Sequence, residues 1–198
     1  MTWQADARIR DRLGPAAAAT PGLLAIYPGR RGTDSDAGGR LIASMWESEA
    51  AMAAPEGEAL CALAAELIPG TAEILPLALI EMPAEPAPEP PAILRVFRGV
   101  VRDGHMESYL EAARRGTQGD IAAGTGPVAL FLAVDGPDRF VTVSAWPSWH
   151  TVEVATGGNI RTPIATRNLD HLVSGSVTHY EILPGAITDG SRVPTAAG

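Results

Sequence analysis

The feature that most constrains this chain is a repeated segment. Around Trp46 it reads Leu41-Ile42-Ala43-Ser44-Met45-Trp46-Glu47-Ser48, and around Trp146 it reads Val141-Thr142-Val143-Ser144-Ala145-Trp146-Pro147-Ser148, an offset of 100 residues. Further on, Glu73-Ile74-Leu75-Pro76 recurs as Glu181-Ile182-Leu183-Pro184, an offset of 108. Upstream, Leu23 to Tyr27 and Val128 to Leu132 are matching apolar runs. Three matches in one order point to duplication, so the 198 residues read as two related halves. Between them lies Met82-Pro83-Ala84-Glu85-Pro86-Ala87-Pro88-Glu89-Pro90-Pro91, whose prolines exclude helix and favour an extended spacer. The expected organisation is a first repeat over 1–82, a Pro-rich linker over 83–91, a second repeat over 92–185 and a tail over 186–198.

The second half carries the fuller pattern. Ile93 to Val101 is β-rich and ends at Arg102-Asp103-Gly104, a turn from which a helix can start. Met106, Tyr109, Leu110 and Ala113 then share one helical face. Val128–Val134 and Phe140–Trp146 read as strands joined by Asp135-Gly136-Pro137-Asp138. A helix is expected to begin near Pro147, whose missing N–H is harmless in a first turn. His179–Leu183 closes the half as a strand. The order is β-α-β-β-α-β, a ferredoxin-like unit. In the first half a helix with Ala5, Ile9 and Leu13 on one face begins almost at Met1, which leaves no room for a first strand. Its second helix shows Leu60, Leu63, Ala64 and Leu67 on one face, and Cys61 among them is expected to be buried. The fold class is therefore α+β.

Composition removes several chemistries. All fifteen basic residues are arginine, so there is no Schiff-base lysine, Walker-A lysine or Ser–Lys pair. A net charge of -8 argues against nucleic acid and anionic membrane surfaces as partners. A single cysteine, Cys61, allows no intrachain disulfide and no cysteine-based zinc site. Gly-x-Ser-x-Gly, His-Glu-x-x-His and Gly-x-Gly-x-x-Gly motifs are missing. The acidic turn Asp34-Ser35-Asp36-Ala37-Gly38-Gly39 reads as a hairpin, since position twelve is Met45 where a calcium loop needs glutamate. The longest apolar run, Val128–Val134, is far below the roughly 20 residues of a membrane span. With no apolar signal core near Met1, a cytoplasmic location is expected.

Taken together, the strand ending in Asp103-Gly104, the paired strands ending in Trp146-Pro147-Ser148, and the final His179-Tyr180-Glu181-Ile182-Leu183 resemble the antibiotic-biosynthesis-monooxygenase-like members of the dimeric α/β-barrel superfamily. The resemblance covers Ile93–Pro184 well and Leu23–Leu79 weakly. It implies that two ferredoxin-like β-α-β-β-α-β repeats form an intramolecular dimeric α/β barrel, in a monomer or a homodimer, with the N-terminal copy degenerate. It also implies a cofactor-independent monooxygenase acting on a small aromatic or polyketide-like ligand in the barrel, with no metal. The alternative is a non-catalytic barrel binding a small molecule or haem.

With helices covering the aliphatic strand faces, Ser44, Trp46, Ser144 and Trp146 would point into the barrel as substrate-binding residues; the alternative is that both indoles fill core at strand ends. The family's binding of substrate anions makes Arg95, beside Phe97 on one strand face, the candidate cation. His171 is the candidate general base or iron ligand. The Asn, Trp and His of the haem-degrading branch are not reproduced: Phe97 occupies the strand position, and Asn159 follows Trp149 where histidine is needed.

Overall fold

The computed structural model describes residues 2–31, 39–68, 70, 72–82, 89–161, 164, 169–184 and 186–188, with side chains from residue 6 onward. Most of the linker expected over 83–91, the acidic turn after Arg31 and most of the tail lie outside the described residues. The chain forms two compact units, Met1–Glu73 with Tyr180–Gly198, and Ile74–His179.

Unit one contains α1 (Thr2–Ala18), β1 (Leu23–Arg31), β2 (Arg40–Trp46), the single turn α2 (Glu49–Met52) and α3 (Pro55–Leu67). β1 and β2 form an antiparallel pair from Leu23 opposite Trp46 to Arg30 opposite Arg40, with a bulge between Leu23 and Ala25. The other side of β1 carries two segments from the chain's end. Gly29–Arg31 pairs with Ile182–Tyr180, and Ala25–Ile26 pairs with a short β-strand at Ile187–Thr188. Ile9, Leu13 and Ala17 of α1 and Leu60 of α3 pack on Leu23, Ile26 and Leu183, with Ile42 and Trp46 against the same cluster. The i, i+4 spacing on α1 is what makes this stripe continuous.

Unit two contains β3 (Leu77–Glu81), β4 (Ile93–Val101), α4 (Met106–Ala122), β5 (Ala129–Asp135), β6 (Arg139–Trp146), α5 (Trp149–Ala155) and most of β7 (Leu172–Ile182). Its strands lie in the order β3-β5-β6-β4, with β7 beside β4. The pairings β3–β5, β5–β6 and β4–β6 are antiparallel. Phe97, Val101, Leu132 and Phe140 of the strands pack on Tyr109 and Ala113 of α4, while Ile93 and Trp146 pack on Val152 of α5. Two glycines let the rings lie flat on the strands. A methyl on Gly99 would sit 2.3 Å from the Phe140 ring, and one on Gly175 would sit 2.3 Å from the Phe97 ring.

Pro76 accepts from the Val134 N–H through its carbonyl but has no N–H to give, and β3 starts at Leu77. The helix expected near Pro147 starts at Trp149, where Ser148 caps it and shares a reciprocal capping box with Thr151. Ser48 Oγ caps α2 by accepting from the Ala51 N–H, and alanine has no side chain to return the bond. Cys61, expected to be buried, is exposed on α3.

The covered strand faces also differ from expectation. Trp146 pairs with Ile93, Ser144 with Arg95 and Thr142 with Phe97, so these residues share one face. It is the face beneath α4 and α5. Trp46 likewise lies with the α1 and α3 cluster. An indole whose N–H is satisfied next door can be buried under a helix as readily as an aliphatic side chain. The aliphatic face of unit two, including Leu94, Val96, Phe131 and Ala145, is buried as well.

Each unit therefore draws strands from both sides of residues 83–91. Proteolysis within Glu85–Pro90 is expected to leave the two fragments associated on native sizing, since β3–β5 and β1–β7 pairing would have to break to separate them. Two independently migrating fragments would contradict this.

Candidate functional site

The polar interior is unevenly distributed. Among the described residues the buried polar or charged side chains are Thr20, Arg95, Thr117, Thr142, Ser144 and His179, and all but Thr20 belong to unit two. Arg95, His179 and Ser144 are 3%, 0% and 2% exposed. Alternation on β4 places Arg95 between Ile93 and Phe97 on the helix-covered face, and its position on a strand with both faces buried keeps it from water.

Aromatic rings line one side of Arg95. Its guanidinium carbon lies 5.9 Å from the centroid of the Phe97 ring, within cation–π range. Phe97 meets Phe140 edge-on at 5.3 Å, and Phe140 lies 4.5 Å from Tyr109. Burial pulls the guanidinium down to about 10, opposed by Tyr109. Burial pushes the Tyr109 phenol above its ordinary range, opposed by Arg95. At neutral pH the site thus presents a guanidinium cation and a protonated phenol. Beside them, Trp146 Nε1–H donates to Ser144 Oγ at 2.9 Å, and the Ser144 hydroxyl donates to the Arg95 carbonyl at 3.4 Å. At the α5 end, the ring centroids of Trp149 and His179 are 5.2 Å apart.

The structure brings together four of the expected site residues, Arg95, Phe97, Ser144 and Trp146. Trp46 and Ser44 belong to unit one, where Trp46 Nε1–H donates to Ser44 Oγ at 3.1 Å in an exposed setting. His171 ends a 3-10 turn (Leu169–His171), with its ring stacked on His105 at 4.2 Å. Its carbonyl accepts from the Arg102 N–H, and the Asp170 carbonyl accepts from Arg102 Nε. Sequence reasoning missed Tyr109, Trp149 and His179 as neighbours of a site. Tyr109 reads as one more apolar position on α4; the signal for His179 is its alternation with Val177 on β7. Among the described residues, no cluster of three or more His, Cys, Asp or Glu side chains is arranged to hold a metal ion. No helix among them is long and apolar enough to cross a membrane.

No protein-family model and no curated protein matches this chain. Solved structures do. A "putative monooxygenase" from Lactobacillus acidophilus aligns with a TM-score of 0.63 at 14% identity, over 93% of this chain and 89% of its own. A "putative monooxygenase" from Fusobacterium nucleatum aligns with a TM-score of 0.66 at 9% identity, over 92% and 86%. An anthrone oxidase-like protein aligns with a TM-score of 0.53 at 14% identity, over 99% and 92%. The chain has the monooxygenase-like α+β fold. At these identities the likeness extends to fold alone.

Two outcomes are expected. Ser144→Ala leaves a buried indole N–H without its acceptor and should cost about 1–3 kcal/mol in urea unfolding. Ser44→Ala acts on an exposed pair and should cost less than about 0.5 kcal/mol; equal costs would show that burial does not distinguish the pairs. The second concerns alkaline pH. The Tyr109 value is raised in the fold, so its contribution is intact below the ordinary phenol value of about 10 and is lost as pH rises through the folded value. Arg95, lowered, acts in the opposite sense above about pH 10. Tyr109→Phe should therefore lose less stability than wild type between about pH 9 and 11. Parallel curves would show that the phenol is not involved.

Proposed function

We propose that this chain is a monooxygenase-like enzyme that binds a small aromatic molecule in unit two and oxidises it with O₂, without metal or organic cofactor. The observation that carries the reading is the buried Arg95 guanidinium beside the Phe97 ring and the Tyr109 phenol. A fixed cation in a low-dielectric site stabilises an anion far more than it would in water. Phenols and enolisable aromatic ketones become oxygen-reactive when they lose a proton, and the anion's oxygen is what Arg95 would hold. The fold's likeness to an anthrone oxidase-like protein makes anthrone the first compound to try. Its reaction balances as anthrone plus O₂ giving anthraquinone plus water. Trp146 and Phe97 would lie against the substrate rings, and Ser144 would position the Trp146 indole.

The same reading includes the architecture. The halves 1–82 and 92–185 are proposed to be tandem ferredoxin-like repeats making one barrel within a single chain, the first lacking its initial strand. Supporting this, the Ser44–Trp46 and Ser144–Trp146 bonds recur at matching positions, as do the Ser48 and Ser148 caps.

The test is an oxygen-electrode assay with anthrone. Wild type should consume O₂ and form anthraquinone while its absorbance shows no Soret band. Arg95→Met should lower kcat/KM by about 100-fold or more, and Arg95→Lys should not restore it, because an ammonium does not reproduce the planar guanidinium. Tight anthrone binding, read by tryptophan quenching, without turnover would favour the non-catalytic binder. A Soret band in the purified protein would favour haem binding.

A further inference from the structure

Pairing with β1 uses one side of β2 and leaves the other open. Pro28 stands opposite Ile42 without an N–H to give, and its carbonyl accepts from the Leu183 N–H on the far side of β1, so Pro28 and Ile42 exchange no hydrogen bond. The pairs to either side, Tyr27 with Ala43 and Gly29 with Leu41, carry the ladder, and the Gly39 carbonyl accepts from the Arg31 N–H in the same phase. Backbone groups alternate along a strand, so the N–H and C=O of Arg40, Ile42, Ser44 and Trp46 face away from β1. β2 ends the strand order, and among the described residues no further strand lies on that side.

Little guards this edge. Sheet edges are ordinarily blunted by proline, lysine, a bulge or shortness. β2 is seven residues long without proline, and the bulge in its pair with β1 falls on β1. Its one charged side chain, Arg40, is held by Asp6 of α1. By contrast β3, at the other end of the order, has five residues and is entered through Pro76. The sequence match also indicates what kind of partner suits the edge. β6, whose octapeptide matches that of β2, pairs antiparallel with β5 on one side and with β4 on the other. Among the described residues β2 has only the first of these two partners.

We propose that a second copy of this chain covers the edge, its β2 running antiparallel to the first about a two-fold axis at Ala43. At this register all four outward residues are matched: Ile42 exchanges bonds with the second copy's Ser44, and Arg40 with its Trp46. A shift of the axis to Ile42 leaves Trp46 unmatched, and a shift to Ser44 leaves Arg40 unmatched. On the side-chain faces Leu41 meets Met45 and Ala43 meets Ala43, with no charge set against a like charge. The Ala43 pair is a non-hydrogen-bonded one, with Cα atoms about 4.5 Å apart, a separation that a disulfide can span.

Sedimentation velocity of the full chain should show monomer giving way to dimer as concentration rises through the micromolar range. Ser44→Pro removes an outward N–H without touching the β1–β2 ladder, and should stay monomeric over that range with the circular dichroism of wild type. The register is read separately by cross-linking. Ala43→Cys, made with Cys61→Ser so that a single thiol remains, should close to a covalent dimer on mild oxidation. Leu41→Cys in the same background meets Met45 instead and should not. Where Ser44→Pro does not fold, the two cysteine variants decide. Wild type that stays monomeric throughout, or folded Ser44→Pro that dimerises as wild type does, would overturn the proposal. So would Ala43→Cys that fails to cross-link, or Leu41→Cys that cross-links equally well, at concentrations where wild type is dimeric.

Discussion

The burial of both faces of β4 governs this molecule. Five consecutive residues, Ile93 to Phe97, are buried, and the third of them is an arginine. A strand in that position cannot send a charged side chain to solvent on either side, so the charge must be met inside. The response is visible in what surrounds Arg95: the Phe97 ring, a phenol on α4, and a Ser144–Trp146 bond on the paired strand. A charge held at such cost is poor economy for stability alone, since an aliphatic residue would be easier to bury.

Much of the local structure was legible in the residues. β4 runs over the segment that β-propensity and the Arg102-Asp103-Gly104 turn marked out, and α4 starts at Met106, where the helical spacing begins. The repeated octapeptides give strands that end in the same Trp-to-Ser bond and lead to the same serine cap. Such features depend on neighbours within a few positions, which a linear sequence displays directly.

What was not legible depends on partners far along the chain. The pairing of β3 with β5, and of Tyr180–Ile182 with β1, follows from no local pattern. The choice of face on β6 was undecidable by hydrophobicity, because the Val141 face and the Trp146 face are both buried. Assigning helices to the aliphatic side treated Ser144 as a polar marker, whereas its hydroxyl is consumed by Trp146 and the Arg95 carbonyl. His171 drew attention by its sequence context, yet burial is a tertiary property, and it falls to His179.

The two halves also differ in what a strand brings besides hydrogen bonds. Unit one keeps the tryptophan–serine pair but leaves it exposed, and it buries Thr20, whose hydroxyl donates to the Ala16 carbonyl, and Tyr27. In unit two the buried cation arrives on β4, the first strand of the second sequence half. Unit one buries a phenol too, that of Tyr27, but it has no buried arginine beside it among the described residues. The two units therefore share the tryptophan–serine bond and the serine cap that hold a strand to its helix, and differ in the charge that unit two places beneath α4 and α5.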